Sequence, residues 1–189
     1  IYDVEEQLKS EGFKVYVSKA YSGEAKEISK PLLETADDIE TMFIFQALQR
    51  RQRNLALARL ALGEVVLADR WDESFDAYHS QYSVLCENDI LRRSIKRLAY
   101  EDLYPHITFY LKIDISTALK RSQKRGSDIF DSEARSYEYQ SRHSQFYDKK
   151  AESHPNWVIL DGDGSRDTLI QQTLKYITSS KPLNQKRYS

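Results

Sequence analysis

Cysteine is nearly absent. The one residue, Cys86 in "SVLCEND", cannot build an internal disulfide framework, and this points to a reducing, cytoplasmic setting. Cys86 itself reads as a small buried or surface residue. No apolar run approaches the ~20 residues of a membrane span, and no signal-peptide n-region precedes the first helix. Charge of one sign is lacking too. The 28 Lys and Arg against 29 Asp and Glu leave a formal net charge of −1. No bulk basic field therefore draws the chain to nucleic acid or lipid, and neither partner is expected. The four histidines, His79, His106, His143 and His154, lack close ligand spacing and a cysteine set, which argues against a zinc site. Neither GxSxG nor HExxH occurs, against the familiar hydrolases and zinc proteases.

What is present describes a globular chain. Its 189 residues suit one domain with a real core, and 40% of them are hydrophobic against 30% charged. The pattern predicts a helix near 2–10 ended by Gly12, then a strand in "FKVYV" (13–17) and a loop over 18–23. A polar helix over about 24–33 is expected to be interrupted near Pro31. A long helix follows from Asp38 to Leu62, with Ile44, Leu48, Leu55 and Leu62 on one face and Gln46, Arg50 and Arg53 on the opposite one. "EVVLA" (64–68) suits a parallel strand buried on both faces. A helix (88–100), a strand (106–113), a short basic helix (116–125), a loop at "GSDIFD" and a long Tyr-rich helix (131–152) come next. A strand in "NWVILDGDG" (156–164), a last helix (167–178) and a polar tail (181–189) complete the chain. Strands alternating with helices imply an α/β protein with a parallel sheet.

In such sheets ligands gather beyond the carboxyl ends of the strands. Three strand ends carry suggestive groups: Lys19 past Val17, Asp69-Arg70 past Ala68, and the turn Asp161-Gly162-Asp163-Gly164 past Leu160. Asp69 could hold a metal-bound water or accept a proton, and Arg70 could clamp a phosphate; a surface salt bridge is the alternative. Gln46, Arg50 and Arg53 could read a base edge and hold phosphates, or form a solvated helix face. Arg121 and Arg125, with Lys124 between them, suit a lid over phosphates at about 121–135, or a basic helix end favoured by its dipole.

Together these segments resemble the thymidylate kinase family of P-loop nucleoside monophosphate kinases. "GEVVLADRWDESFDAYH" (63–79) is similar to the family's "GkivisDRYxxSxxAYQ". "YPHITFYLKIDISTALKRSQKRGSDIFD" (104–131) resembles "PDltlyLdvdpexAlxRxxxRGxxDRxE", and "NWVILDG" resembles the family's final strand. The resemblance implies a three-layer αβα fold with a central parallel sheet and a helical lid. It implies transfer of ATP's γ-phosphoryl group to a nucleoside monophosphate, dTMP to dTDP, with Mg2+ as cofactor. On the same basis Asp69 is expected near metal and acceptor phosphate, and Arg70 on the acceptor phosphate. Arg121 and Arg125 would serve as lid arginines on the transferring phosphates, with Lys124, Gly162 and Asp163 on the ATP side. Arg50, Ser74 and Tyr78 would line the acceptor pocket with Lys19, Phe45, Gln46, Arg53 and Phe130. A homodimer built from helices packed side by side is also implied.

The sequence departs from the family pattern in places. No GxxGxGK(S/T) phosphate loop occurs, and Ile1 falls where the helix after that loop should be under way, so an N-terminal strand and loop are expected before Ile1. "TREPGGT" becomes "SKAYSGE", placing Lys19 where the family has Arg. Gln46 stands at the family's stacking Phe, with Phe45 adjacent, and the lid's "DRxE" is Asp128-Ile129-Phe130-Asp131. "FIFQALQRRQR" also resembles the "FTFQ…R" helix of deoxynucleoside kinases, so nucleoside phosphorylation is an alternative. A catalytically inactive kinase-like binding or dimerisation module is another.

Overall fold

The computed structural model describes residues 1–79, 83–124 and 136–180. The chain divides into two compact units, Ile1–Pro105 and His106–Ser189. Both are α/β, with parallel strands in small sheets between helices, the class expected of a P-loop kinase fold.

The first unit opens with α1 (Tyr2–Ser10), which buries Val4 and Leu8, one turn apart. Strand β1 (Val15–Lys19) pairs in parallel with β2 (Val65–Asp69), and the register places Lys19 beside Asp69. β1 lies two residues later than the alternating run suggests, because its pairing with β2 decides its ends. Between the strands lie α2 (Gly23–Leu33) and α3 (Asp38–Ala61). The expected interruption at Pro31 does not occur. Pro31 lies inside α2, and Glu34 N–H closes the following turn on Lys30 O at 3.1 Å. Pro31 gives up the bond its N–H would have made to Glu27 O, yet the helix continues through Leu33.

A reciprocal capping box starts α3: Asp37 accepts from the Ile39 and Glu40 N–H groups, and Glu40 Oε2 accepts from Asp37 N–H. Its buried side chains are Met42, Gln49, Gln52 and Ala56, while Leu55 and Leu62 are 43% and 65% exposed. The expected apolar face is therefore not the inner one. The inner side of α3 meets carbonyl groups at the strand ends and at the end of a later helix. Gln52, Arg50 and Arg53 satisfy those acceptors, and leucine could not. β2 is also less buried than expected. Val65, Val66 and Leu67 are half-buried and Asp69 is exposed, since β2 pairs only with β1 in this sheet.

After β2 come α4 (Glu73–His79), α5 (Ser83–Cys86) and α6 (Asp89–Tyr100), the last capped by Asn88 on Leu91 N–H. Met42, Phe75 and Leu85 form a buried cluster with Ile95 against it. Each such side chain withdrawn from water contributes about 2 kcal/mol.

The second unit pairs β3 (Thr108–Lys112) in parallel with β4 (Trp157–Asp161). Helices α7 (Ile115–Lys124), α8 (Tyr137–Ser153) and α9 (Arg166–Ser179) accompany them. Tyr110 stacks on Tyr147 at 5.6 Å, and Trp157 lies 6.1 Å from Tyr147, which accounts for part of the Tyr-rich helix as packing. The expected helix over 131–152 is described from Tyr137. Most of the expected lid, including Arg125 and Phe130, and the tail over 181–189 lie outside the described residues.

Candidate functional site

The carboxyl ends of β1 and β2 bring an ammonium and a carboxylate together. Lys19 Nζ lies 2.9 Å from Asp69 Oδ2, and both side chains reach solvent. The hydrogen bond to Asp69 holds the lysine's pKa above its ordinary value, against a small lowering by burial. Lys19 also sits over the Tyr2 ring at 4.9 Å.

Arg70 follows with φ +70°, in the left-handed region that a non-glycine residue enters at a cost of about 1–3 kcal/mol. Its guanidinium lies over the Tyr78 ring, 4.8 Å from the centroid. Asp69 at the end of β2 pairs across the sheet with Lys19. Gln52, 3% exposed, ties the two strand ends together by donating from Nε2 to Ser18 O (3.2 Å) and Arg70 O (3.4 Å). Sequence reading missed Gln52, whose signal was a glutamine one turn beyond Gln49 on a helix otherwise read for its leucines and arginines.

Behind Arg70, α4 is anchored by charge. Asp72 and Ser74 are buried. Lys96 of α6 reaches Asp76 Oδ2 at 2.7 Å, Asp72 Oδ2 at 2.9 Å and Glu73 Oε1 at 3.9 Å. Burial alone would lower the Lys96 pKa, but the Asp72, Asp76 and Glu73 carboxylates outweigh it and hold the ammonium well above its usual range. On the same helix His79 lies between rings, 6.0 Å from Phe45 and 5.6 Å from Phe75, and burial lowers its pKa to about 4. Phe45 also meets Tyr21 at 5.8 Å. Gln46 Nε2 donates to Gln49 Oε1 at 2.9 Å.

Arg50 and Arg53 do not form a solvated face. Both converge on Glu101, immediately after α6. Arg50 Nη1 donates to Glu101 Oε1 (2.7 Å) and Leu98 O (3.1 Å). Arg53 Nη2 donates to Glu101 Oε2, its Nε to Tyr100 O (3.4 Å) and its Nη1 to Asn54 Oδ1 (3.2 Å). The two guanidiniums hold the Glu101 carboxyl below its ordinary pKa, the hydrogen bond from Arg50 foremost. No local sequence pattern announced Glu101, which lies about fifty residues from its partners.

In the second unit, Arg121 of α7 donates from Nη1 to Gly162 O at 3.0 Å, and its Nη2 lies 3.8 Å from Asp163 Oδ1. Asp163 Oδ2 in turn accepts from Asp114 N–H at 2.9 Å. A side chain at Gly162 would place its Cβ 2.4 Å from Ile113 Cγ2 and 3.0 Å from Lys112 O, so this turn requires glycine. Lys124 is exposed at the end of α7. Arg121, named separately from Gly162 and Asp163 in the sequence, is therefore joined to Gly162 by a hydrogen bond and to Asp163 by an ion pair.

Among the described residues no group of three or more His, Cys, Asp or Glu could hold a metal ion, and no helix is long and apolar enough to cross a membrane.

A model of the thymidylate kinase family matches residues 3–173. The chain is 30% identical over 185 positions to a thymidylate kinase of Geobacillus sp., covering 92% of this chain and 86% of that one. It is 29% identical over 194 positions to one of Enterococcus faecalis, covering 96% and 90%. It is 27% identical over 184 positions to one of Pseudomonas savastanoi pv. phaseolicola, covering 89% and 86%. With a family match that takes in both strand-end groups and most of both units, this chain belongs to the thymidylate kinase family of phosphotransferases.

Proposed function

We propose that the protein phosphorylates a nucleoside monophosphate, dTMP to dTDP, with ATP as the donor. The observation that carries this reading is the meeting of Lys19, Asp69 and Arg70 at the carboxyl ends of two parallel strands, with Arg70 held in a strained backbone turn. Phosphoryl transfer asks a protein mainly to position two anions and neutralise the charge between them. Arg70 offers a fork for the acceptor phosphate, and Lys19 a point charge beside it. Asp69 serves as the acid near the reacting phosphates. Arg50, Phe45, Gln46, Ser74 and Tyr78 line the acceptor side, with Phe130 assigned there by resemblance. In the second unit Arg121, Lys124 and Arg125 are assigned to the transferring phosphates, and Gly162 and Asp163 to the ATP side.

With no metal cage among the described residues, Mg2+ would be held largely by phosphate oxygens and water, with Asp69 as the protein's contribution. When bound, it would supply charge neutralisation on the phosphates. We assign both units to one kinase domain, because the family match reaches into both. A cytoplasmic setting agrees with the chain's single cysteine, which is exposed. A homodimer through helices of the first unit is supported by family membership and by the exposed Ile28, Leu32, Phe43, Ile90 and Leu98.

The test is an ADP-release assay of the full-length protein over a panel of nucleosides and monophosphates. Turnover of dTMP above other monophosphates is expected. Turnover of thymidine but not dTMP would move the reading to nucleoside phosphorylation, and nucleotide binding without turnover would leave a binding module.

A further inference from the structure

Glu101 lies immediately after α6 with φ +49° and ψ −127°, a backbone conformation that favours glycine. A glutamate persists there when its side chain is committed elsewhere, and this one is. Each carboxylate oxygen takes a different guanidinium: Oε1 that of Arg50, Oε2 that of Arg53. The two arginines are not equivalent. Arg53 is 13% exposed in its side chain, and all three of its nitrogens donate within the protein. Arg50 is 38% exposed, and among the described residues the nitrogen it commits is Nη1, to Glu101 and Leu98 O. Its Nη2 and Nε remain available on the other edge of the same rigid plane.

We propose that Glu101 is a positioning residue, which fixes the plane of Arg50 so that its Nη2 and Nε edge meets the acceptor nucleotide, with Arg53 anchoring the carboxylate from behind. Arg53 then acts through Glu101 and does not touch the nucleotide. The proposal rests on the reading that Arg50 faces the acceptor. Its physical basis is pre-organisation. A flexible arginine must be ordered when ligand binds, whereas one already held by two acceptors gives up less freedom.

The experiment is calorimetric titration of dTMP into the full chain, with thermal unfolding of each variant alongside. Glu101→Gly suits the backbone conformation and removes the carboxylate. It is expected to weaken dTMP binding about tenfold, the scale of one charge-assisted hydrogen bond, with Tm unchanged or raised. Glu101→Gln, which keeps the side chain's bulk but loses its charge, is expected to fall between Glu101→Gly and the unmodified chain. Arg50→Ala tests the underlying reading. If Arg50→Ala loses affinity while both Glu101 variants bind as the unmodified chain does, the positioning role is overturned and the reading stands. If Arg50→Ala binds normally, or if the unmodified chain does not bind dTMP, the reading falls and the proposal with it. Tighter binding by Glu101→Gly would make Glu101 a competitor for Arg50 and overturn the proposal. So would affinity and Tm falling together in both Glu101 variants, since that is the mark of a merely structural contact.

Discussion

At the scale of single residues, Arg70 and His79 set two opposite demands on this protein. Arg70 is strained at φ +70° but stacked over Tyr78. Replacing it by glycine relieves about 1–3 kcal/mol of strain and forfeits a cation–π contact of about 0.5–1 kcal/mol. Arg70→Gly is therefore expected to hold or raise stability, by no more than about 2 kcal/mol, in urea unfolding. The same variant should lower kcat/KM for the acceptor by about a hundredfold or more in steady-state assays, because a phosphate fork is lost. His79 makes the opposite trade. Burial lowers its folded-state pKa to about 4, against 6.5 unfolded. Between those values the unfolded chain binds the proton and the folded chain does not. The stabilisation is therefore complete above pH 6.5 and is lost as pH falls toward 4, by at most about 3 kcal/mol. Urea unfolding from pH 7 to pH 4 should show this slope, and His79→Phe should flatten it.

At the scale of elements, α4 is held by charge more than by its short apolar face. One ammonium, Lys96, serves the carboxylates of Asp72, Asp76 and Glu73, and Asp72 is 5% exposed. Lys96→Met would leave the buried Asp72 carboxylate without the cation it meets, which costs about 3 kcal/mol. Urea unfolding at pH 7 checks the loss. Because α4 follows directly on Asp69-Arg70, the same variant should also raise the acceptor KM. Helix α3 shows why element faces were harder to read than elements. Its limits were legible from the long run of helix formers. Its inner face was not, because Gln52 and Arg53 are placed there by their fit to backbone carbonyls of the strand ends and of α6. Hydrophobic periodicity carries no trace of that kind of match.

At the scale of the whole molecule, the first unit leaves apolar side chains exposed on three helices. They are Ile28 and Leu32 on α2, Ile39 and Phe43 on α3, and Ile90 and Leu98 on α6. The homodimer proposed for this protein would cover such a surface. Phe43→Glu is expected to shift the chain from dimer to monomer in sedimentation velocity at micromolar concentration, because a buried carboxylate without a partner opposes association. With the formal net charge at −1, such association meets little long-range repulsion.

The order of helices and strands, their parallel pairing and the family were determined by the sequence itself. Period, capping residues and short motifs are local, and they survive being read along a line. So do Asp69, Arg70, Arg50 and Arg121 as candidate site residues. What each of them holds was decided only by the tertiary structure. Asp69 meets Lys19 because two strands align in register, and Arg70 lies over the Tyr78 ring. Arg50 and Arg53 meet Glu101 because α6 ends against α3. The contacts of Asp69, Arg50 and Arg53 join residues about fifty positions apart, and no local pattern encodes a separation that chain folding alone closes.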